Sequence, residues 1–267
     1  MVPLAAEPLT IIAGFPITNS MLNAWIAVIF FLIVALIART RRGLVPKGIH
    51  NLIEAVVELL LNEVQKVTGD RERAKKFLPI VGTIFLFVLF SNWIGQIPGT
   101  GSIGIKEVID GHLELVPLFR PATSDLNLTL AMALFAVIST HVFGLIKMGP
   151  LKHFGKFVNI AGIVRALKKG PMAILIALIE FAVGLLEIIS EFAKVLSLSL
   201  RLFGNIFAGE ILLTVMMGIF AYFLPLPFIF LEILVGAIQA TVFGMLTLAF
   251  LTLATDAHGE EHQPAHA

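Results

Sequence analysis

Hydrophobic residues run in long blocks along this chain, and the block lengths predict helices that cross a membrane. A spanning helix needs about 20 apolar residues to cross a hydrocarbon core roughly 30 Å thick. Three blocks fit that directly: residues 20–38, 77–97 and 126–148. Two later blocks, 171–224 and 225–254, are too long for upright spans. The first of these carries no proline after Pro171 and only isolated glycines (Gly184, Gly204, Gly209, Gly218), which favours one long tilted helix over a hairpin. The stretch 48–67 has a different pattern. Leu52, Ile53, Val56, Val57, Leu60, Leu61, Val64 and Val67 recur at helical spacing opposite Glu54, Glu58, Asn62 and Glu63. This predicts an amphipathic helix lying along the membrane interface or packed on a protein partner. The expected fold is therefore an all-α polytopic membrane protein forming one membrane domain over 1–267. It has three roughly upright spans, one interfacial helix, two long steeply tilted C-terminal helices and a tail from 255 to 267.

Composition agrees: 58% of the residues are hydrophobic and 14% charged, against roughly 25% charged in soluble domains. The net charge of +1 gives no sign of a nucleic-acid partner, and the absence of cysteine excludes disulfides, thiolate metal sites and cysteine nucleophiles. No nucleotide-binding glycine loop, zinc-protease motif or nucleophile elbow is present, and no cofactor is implied. The N-terminus lacks the basic start of a signal peptide. Of the 19 Lys and Arg residues, most fall between Arg39 and Lys76 or between Lys147 and Lys169. Lys106 and Arg120 lie in the loop after the second span, and Lys194 and Arg201 lie inside the long apolar block. The positive-inside rule then puts the two basic segments and the C-terminus in the cytoplasm, and the N-terminus outside.

A basic side chain at the bilayer centre costs about 2.5–3.5 kcal/mol or more, so charges there need a partner or a task. In the long block, Glu180, Glu187, Glu191, Lys194, Arg201 and Asn205 fall within about 80° of one another on a helix. Glu210 points about 180° away from Arg201. The last block carries Glu232 and Gln239 on one face, with Gly236, Ala240 and Gly244 spaced for close helix approach. Asp125 and Asn127 open the third span, and His141 sits near its inner end. Plainer readings stand beside these. Glu180 and Lys194 could be snorkelling end charges, Glu187 and Glu191 structural partners of Lys194, Asp125 a helix cap and His141 a packing residue. His258, His262 and His266 could ligate a metal on a helix, but a solvated tail explains them more simply. Arg201 resists such readings, because no acid lies three or four residues from it.

The stretch LSLSLRLFGNIFAGE (Leu196 to Glu210) resembles the signature of subunit a of bacterial F-type ATP synthases. SNWIGQIPG (Ser91 to Gly99), PATSDLNLTLAMAL (Pro121 to Leu134) and IQATVFGMLTLAFL (Ile238 to Leu251) extend the match in the family's order. The resemblance implies a non-catalytic stator subunit in the bacterial inner membrane. Its partners would be a ring of c subunits, each with a membrane carboxylate, and the b subunits of the peripheral stalk. It implies that Arg201 faces the ring, with Asn205 and Gln239 close by. Glu210, Glu232, Asp125 and Asn127 would line a half-channel from outside, and Glu187, Lys194 and Ser197 one on the cytoplasmic side. The transported ion would be H⁺, with Na⁺ left open because the ring site lies on another chain. In some members one of the two acidic outer positions is histidine, whereas Glu210 and Glu232 are both carboxylates here. The competing readings are a self-contained proton-coupled secondary transporter, which would show paired repeats, and a membrane-embedded enzyme. No repeat is visible, and a copurifying small proteolipid would separate these cases.

Overall fold

The computed structural model describes residues 6–12, 14–40, 47–97, 103–109, 112–150, 155, 157, 171–220 and 223–256. The tail histidines and much of the second basic segment lie outside these residues. Six α-helices make up nearly all of what is described: α1 (Asn19–Thr40), α2 (Ile49–Thr68), α3 (Arg71–Gly95), α4 (Leu126–Met148), α5 (Pro171–Ile219) and α6 (Pro225–Asp256). All but α2 are long and apolar enough to cross a membrane. The long block is one unbroken helix of 49 residues, about 73 Å along its axis. α3 starts earlier than its apolar block because Asp70 caps it, accepting from the backbone N–H groups of Glu72 and Arg73. Its polar first turns continue the helix beyond the apolar run.

α2 ends on Gly69, whose left-handed φ of 70° lets its N–H bond the Gln65 carbonyl. The chain then turns into α3, and Arg71 reaches back to Glu58 at 2.9 Å. Leu61 and Val64 of α2 pack with Ala74, Phe77 and Val81 of α3 and Leu248 and Leu251 of α6. Ile49, Leu52, Leu59 and Val67 stay exposed on α2.

The main core lies among α3, α4, α5 and α6: Ile84 and Val88, then Ala133, Ala136 and Val137, then Val195, Leu198, Leu202 and Ile206, with Ala240 and Phe243. The expected small-residue stripe on α6 meets α3. A Cβ on Gly236 would lie 3.1 Å from Asn92 Cβ, and one on Gly244 would lie 3.5 Å from Phe85 Cβ. This closeness lets α3 side chains bond α6 backbone: Asn92 Nδ2 donates to Gly236 O at 3.1 Å, and Trp93 Nε1 to Ile233 O at 3.1 Å. Thr123, in a 3₁₀ turn (Ala122–Ser124), donates to Asn92 Oδ1.

Two small antiparallel hairpins lie at the same end of the bundle, in segments where the hydrophobic pattern predicts no element. β1 (Pro8–Ile12) pairs with β2 (Phe15–Thr18), and β3 (Gly104–Ile109) with β4 (His112–Pro117). Both are two-stranded, and such pairs depend on neighbouring packing for stability. Asn19 supplies the joint: its N–H donates to Glu7 O at 3.1 Å and its Nδ2 to Pro117 O at 3.2 Å.

Asn92→Ala removes its bond to Gly236 O across the α3–α6 seam and the bond it accepts from Thr123. We expect a loss of about 1–2 kcal/mol, read as a lower temperature of half-maximal aggregation in detergent. Phe30→Leu, on the lipid-exposed side of α1 where it stacks on Phe90, is expected to lower it less.

Candidate functional site

Polar groups collect at two levels along α5, one on each side of Arg201. The richer level is called outer here, after the orientation that the basic residues predict. Arg120, immediately before the Pro121 turn, is only 2% exposed. Its Nε lies 3.1 Å from each carboxylate oxygen of Glu210. Phe207, one turn back on α5, places its ring 6.0 Å from the guanidinium carbon, a stacking distance at which the cation gains from the ring. The backbone carbonyl of Arg120 accepts from Asn23 Nδ2 at 2.8 Å, which ties α1 to this level. Glycine allows the second carboxylate in. A Cβ on Gly209 would overlap the Glu232 carboxylate, so α6 brings Glu232 against α5 beside Glu210. Glu232 is 5% exposed, and its Oε1 has no hydrogen-bond partner among the described residues. Asn23 Oδ1 and Ser91 Oγ are buried without partners in the same way.

Asp125 is a helix cap and more. Oδ1 accepts from the Asn127 N–H at 2.9 Å, and Oδ2 accepts from the Ser20 hydroxyl at 2.9 Å. The capping reading thus describes Oδ1, and Oδ2 ties Asp125 to α1. Asn127 uses its backbone here, and its side chain is exposed.

The inner level is a carboxylate between two bases. Lys194 Nζ donates to Glu191 Oε1 at 2.7 Å, and His141 Nε2 of α4 lies 3.5 Å from Glu191 Oε2. Lys194 Nζ also sits 5.1 Å from the centre of the Phe250 ring of α6. Glu191 therefore pairs with Lys194, as the structural reading expects, and His141 joins that pair instead of serving only as packing. Glu187 is half-buried one turn before Glu191 and makes no hydrogen bond to a described residue.

Between the levels, Arg201 is exposed, and Nη2 donates to Ser197 Oγ at 3.3 Å. No carboxylate among the described residues forms an ion pair with it. Asn205, one turn on, is exposed on the same side, while Gln239 on α6 is half-buried. Arg201 and Glu210 point in opposite directions from α5, as their spacing predicts. The outer level unites Glu210, Glu232 and Asp125 with Arg120, Asn19, Asn23 and Asn92, which sequence reasoning did not single out. Arg120 had one signal, since it is one of only two basic residues in its loop and stands five positions before Asp125.

A bundle of long apolar helices that holds one buried and one half-buried charged cluster among its described residues has the build of a polytopic membrane protein. The family profile described as ATP synthase A chain matches residues 21–252. ATP synthase subunit a of Gloeobacter violaceus is 31% identical over 91% of this chain and 86% of its own length. The Campylobacter concisus subunit is 36% identical over 88% of each chain. That of Geobacter sulfurreducens is 34% identical over 85% of this chain and 83% of its own. The chain belongs to the ATP synthase A chain family, and is a non-catalytic, ion-translocating membrane subunit.

Gly209→Ala forces Glu232 away from α5, whereas a Cβ on Gly218 meets open space. The expected result is a stability loss of about 1–3 kcal/mol for Gly209→Ala and none for Gly218→Ala, compared by thermal aggregation of the purified chain.

Proposed function

We propose that this chain is the stator that gives a ring of c subunits two offset proton half-channels, with Arg201 between them. The observation that carries this is the solitude of Arg201. A buried or lipid-facing arginine is retained when it has a partner, and among the described residues Arg201 bonds the Ser197 hydroxyl but no carboxylate. A carboxylate on another chain fits the need. The surface around Arg201 suits close approach by a helix: Ser190, Ser197, Asn205 and Ala208 are short and exposed on its side of α5. α5 is also the least covered of the five long helices. At about 73 Å it far exceeds a bilayer core of roughly 30 Å, so it lies steeply tilted and runs along the ring instead of across it once.

Proton uptake occurs from outside through the level of Glu210, Glu232 and Asp125, with Asn127 at its rim. Release to the cytoplasm runs by Glu187, Lys194 and Ser197. Along the helix axis, Glu210 lies about 13 Å from Arg201 and Lys194 about 10 Å. A proton handed to a ring carboxylate neutralises it, and the neutral site can cross lipid where an ionised one could scarcely go. On return, the positive charge of Arg201 favours the ionised carboxylate, so the site gives up its proton. The same charge repels protons moving directly between the levels. Each proton crossing supplies about 2.3 kcal/mol per 100 mV. Asn205 and Gln239 flank this point. The basic segments set the N-terminus outside and the C-terminus in the cytoplasm. α2 lies along the inner interface, its exposed leucines in lipid. The b subunits of the peripheral stalk complete the stator.

Arg201→Ala is expected to abolish ATP synthesis by reconstituted complex while passive proton leak persists or rises. Coupled synthesis at the parental rate would falsify the assignment. Glu210→Gln is expected to slow proton flux more than it lowers the amount of assembled complex. Equal losses in the two measurements would make Glu210 structural.

A further inference from the structure

We propose that the β1–β2 hairpin is a lipid anchor, lying in the headgroup layer where α1 enters the bilayer and setting the depth of the outer level. This rests on α1 crossing the membrane and not on the half-channel reading. Residues 8–18 include no charged side chain. The strand register sets Ile11 opposite Pro16 and Ile12 opposite Phe15. Side chains alternate across a strand, so Ile11 and Phe15 leave the hairpin on opposite faces. Both are exposed, Ile11 at 69% and Phe15 at 72%. A protein seated on one face would leave the other apolar face in water. A fluid layer around the hairpin covers both.

Position points to the same occupant. β2 ends at Thr18 and α1 starts at Asn19 with no linker between them. The Asn19 N–H donates to Glu7 O at 3.1 Å, so the chain on both sides of the hairpin is held at the first turn of α1. With 22 residues, α1 is about 33 Å long, little more than a hydrocarbon core of roughly 30 Å. Asn19 thus stands at the edge of the core, with the hairpin just beyond it. Exposed apolar surface resumes on α1 at Trp25, Val28 and Ile29, and tryptophan favours the interface. The depth is bounded from the other side too. A two-stranded hairpin keeps open backbone edges, which the hydrocarbon does not tolerate and the hydrated headgroup layer does. Pro8 and Pro16 lessen that demand, since neither has an N–H to satisfy. The second hairpin differs in composition: its strands include Lys106, Glu107 and Glu114, as suits a hairpin in water.

The first turns of α1 pass this depth on to the site. Asn19 Nδ2 donates to Pro117 O, the Ser20 hydroxyl to Asp125 Oδ2, and Asn23 Nδ2 to Arg120 O. A hairpin fixed among headgroups therefore fixes the height of the turn that leads into α4.

The chain has no native cysteine, so single-cysteine spin labels read depth directly. Phe15→Cys and Ile11→Cys are labelled in the complete complex, its other chains cleared of cysteine, in phosphatidylcholine–phosphatidylglycerol vesicles. Collisions with lipid-soluble oxygen are compared with those of a water-soluble nickel chelate. Ile33→Cys, on the exposed side of α1, is the lipid reference, and Glu72→Cys, in the polar first turn of α3, is the water reference. Both hairpin labels are expected to favour oxygen, at a depth of about 5–10 Å into the headgroup–acyl boundary. Nickel access equal to that of Glu72→Cys puts the hairpin in water and overturns the proposal. Poor access to both reagents at either site means that another chain covers that face, which overturns it as well. If a labelled variant does not assemble, the unaltered complex decides. A photoactivated carbene carried on a lipid headgroup is expected to modify residues 8–18 more than a soluble carbene does, and the reverse ratio overturns the proposal. None of these readouts depends on proton flow, so failure of the half-channel reading in Arg201→Ala would leave them standing.

Discussion

Inside a bilayer no solvent waits to satisfy a polar group, so each one must be paired within protein or kept for a partner that comes and goes. Most of this structure follows from that constraint. The outer ends of α1, α3, α5 and α6 meet because Asn23 must reach the Arg120 carbonyl, Asn92 the Gly236 carbonyl and Arg120 the Glu210 carboxylate. These bonds need close backbones, and glycines at 236 and 209 provide them. Packing between apolar side chains alone would give little preference for one rotation of α6 over another, since lipid tails are as apolar as leucine. The polar level fixes that rotation, and with it the position of Glu232.

Two arginines show the two answers to the constraint. Arg120 is buried and closed by its own chain. Arg201 is exposed on a strip of short side chains and, among the described residues, bonds only the Ser197 hydroxyl. The difference lies in their surroundings, since both guanidiniums keep their charge at any physiological pH. A closed pair stores a fixed field, whereas an open cation can stabilise a moving carboxylate and release it. α5 holds one end of each, since it carries Arg201 itself and Glu210, the partner of Arg120.

What could be read from the sequence divides along the same line. Helix number and length follow from hydrophobic runs, because spanning a fixed thickness is a local demand. The isolation of Arg201 and its opposition to Glu210 are also local, set by nine positions of helical rotation. The Arg120–Glu210 pair is not local: its members stand 90 residues apart, and a loop arginine before a proline reads as an outer-surface charge. The same holds for Asn23 and Asn92, polar residues near helix ends whose carbonyl partners no local pattern names. The hairpins were hidden because two short strands carry too few alternating positions to stand out beside long apolar runs. His141 reads as packing in the sequence because its partner Glu191 lies on another helix.

α5 joins these levels rigidly, and that rigidity has a consequence. With no break from Pro171 to Ile219, any shift that moves Arg201 carries Glu210 and Glu191 with it. Each is tied to a different element: Glu210 to the turn before α4 through Arg120, and Glu191 to α4 through His141. α4 and its leading turn therefore clamp α5 on both sides of the arginine. Thr129 and Ser199 add a third tie, with their hydroxyls 3.3 Å apart near the middle. A clamp at three heights fixes the arginine relative to α4, and a fixed position matters for a charge that acts over a few ångströms in a medium of low polarity.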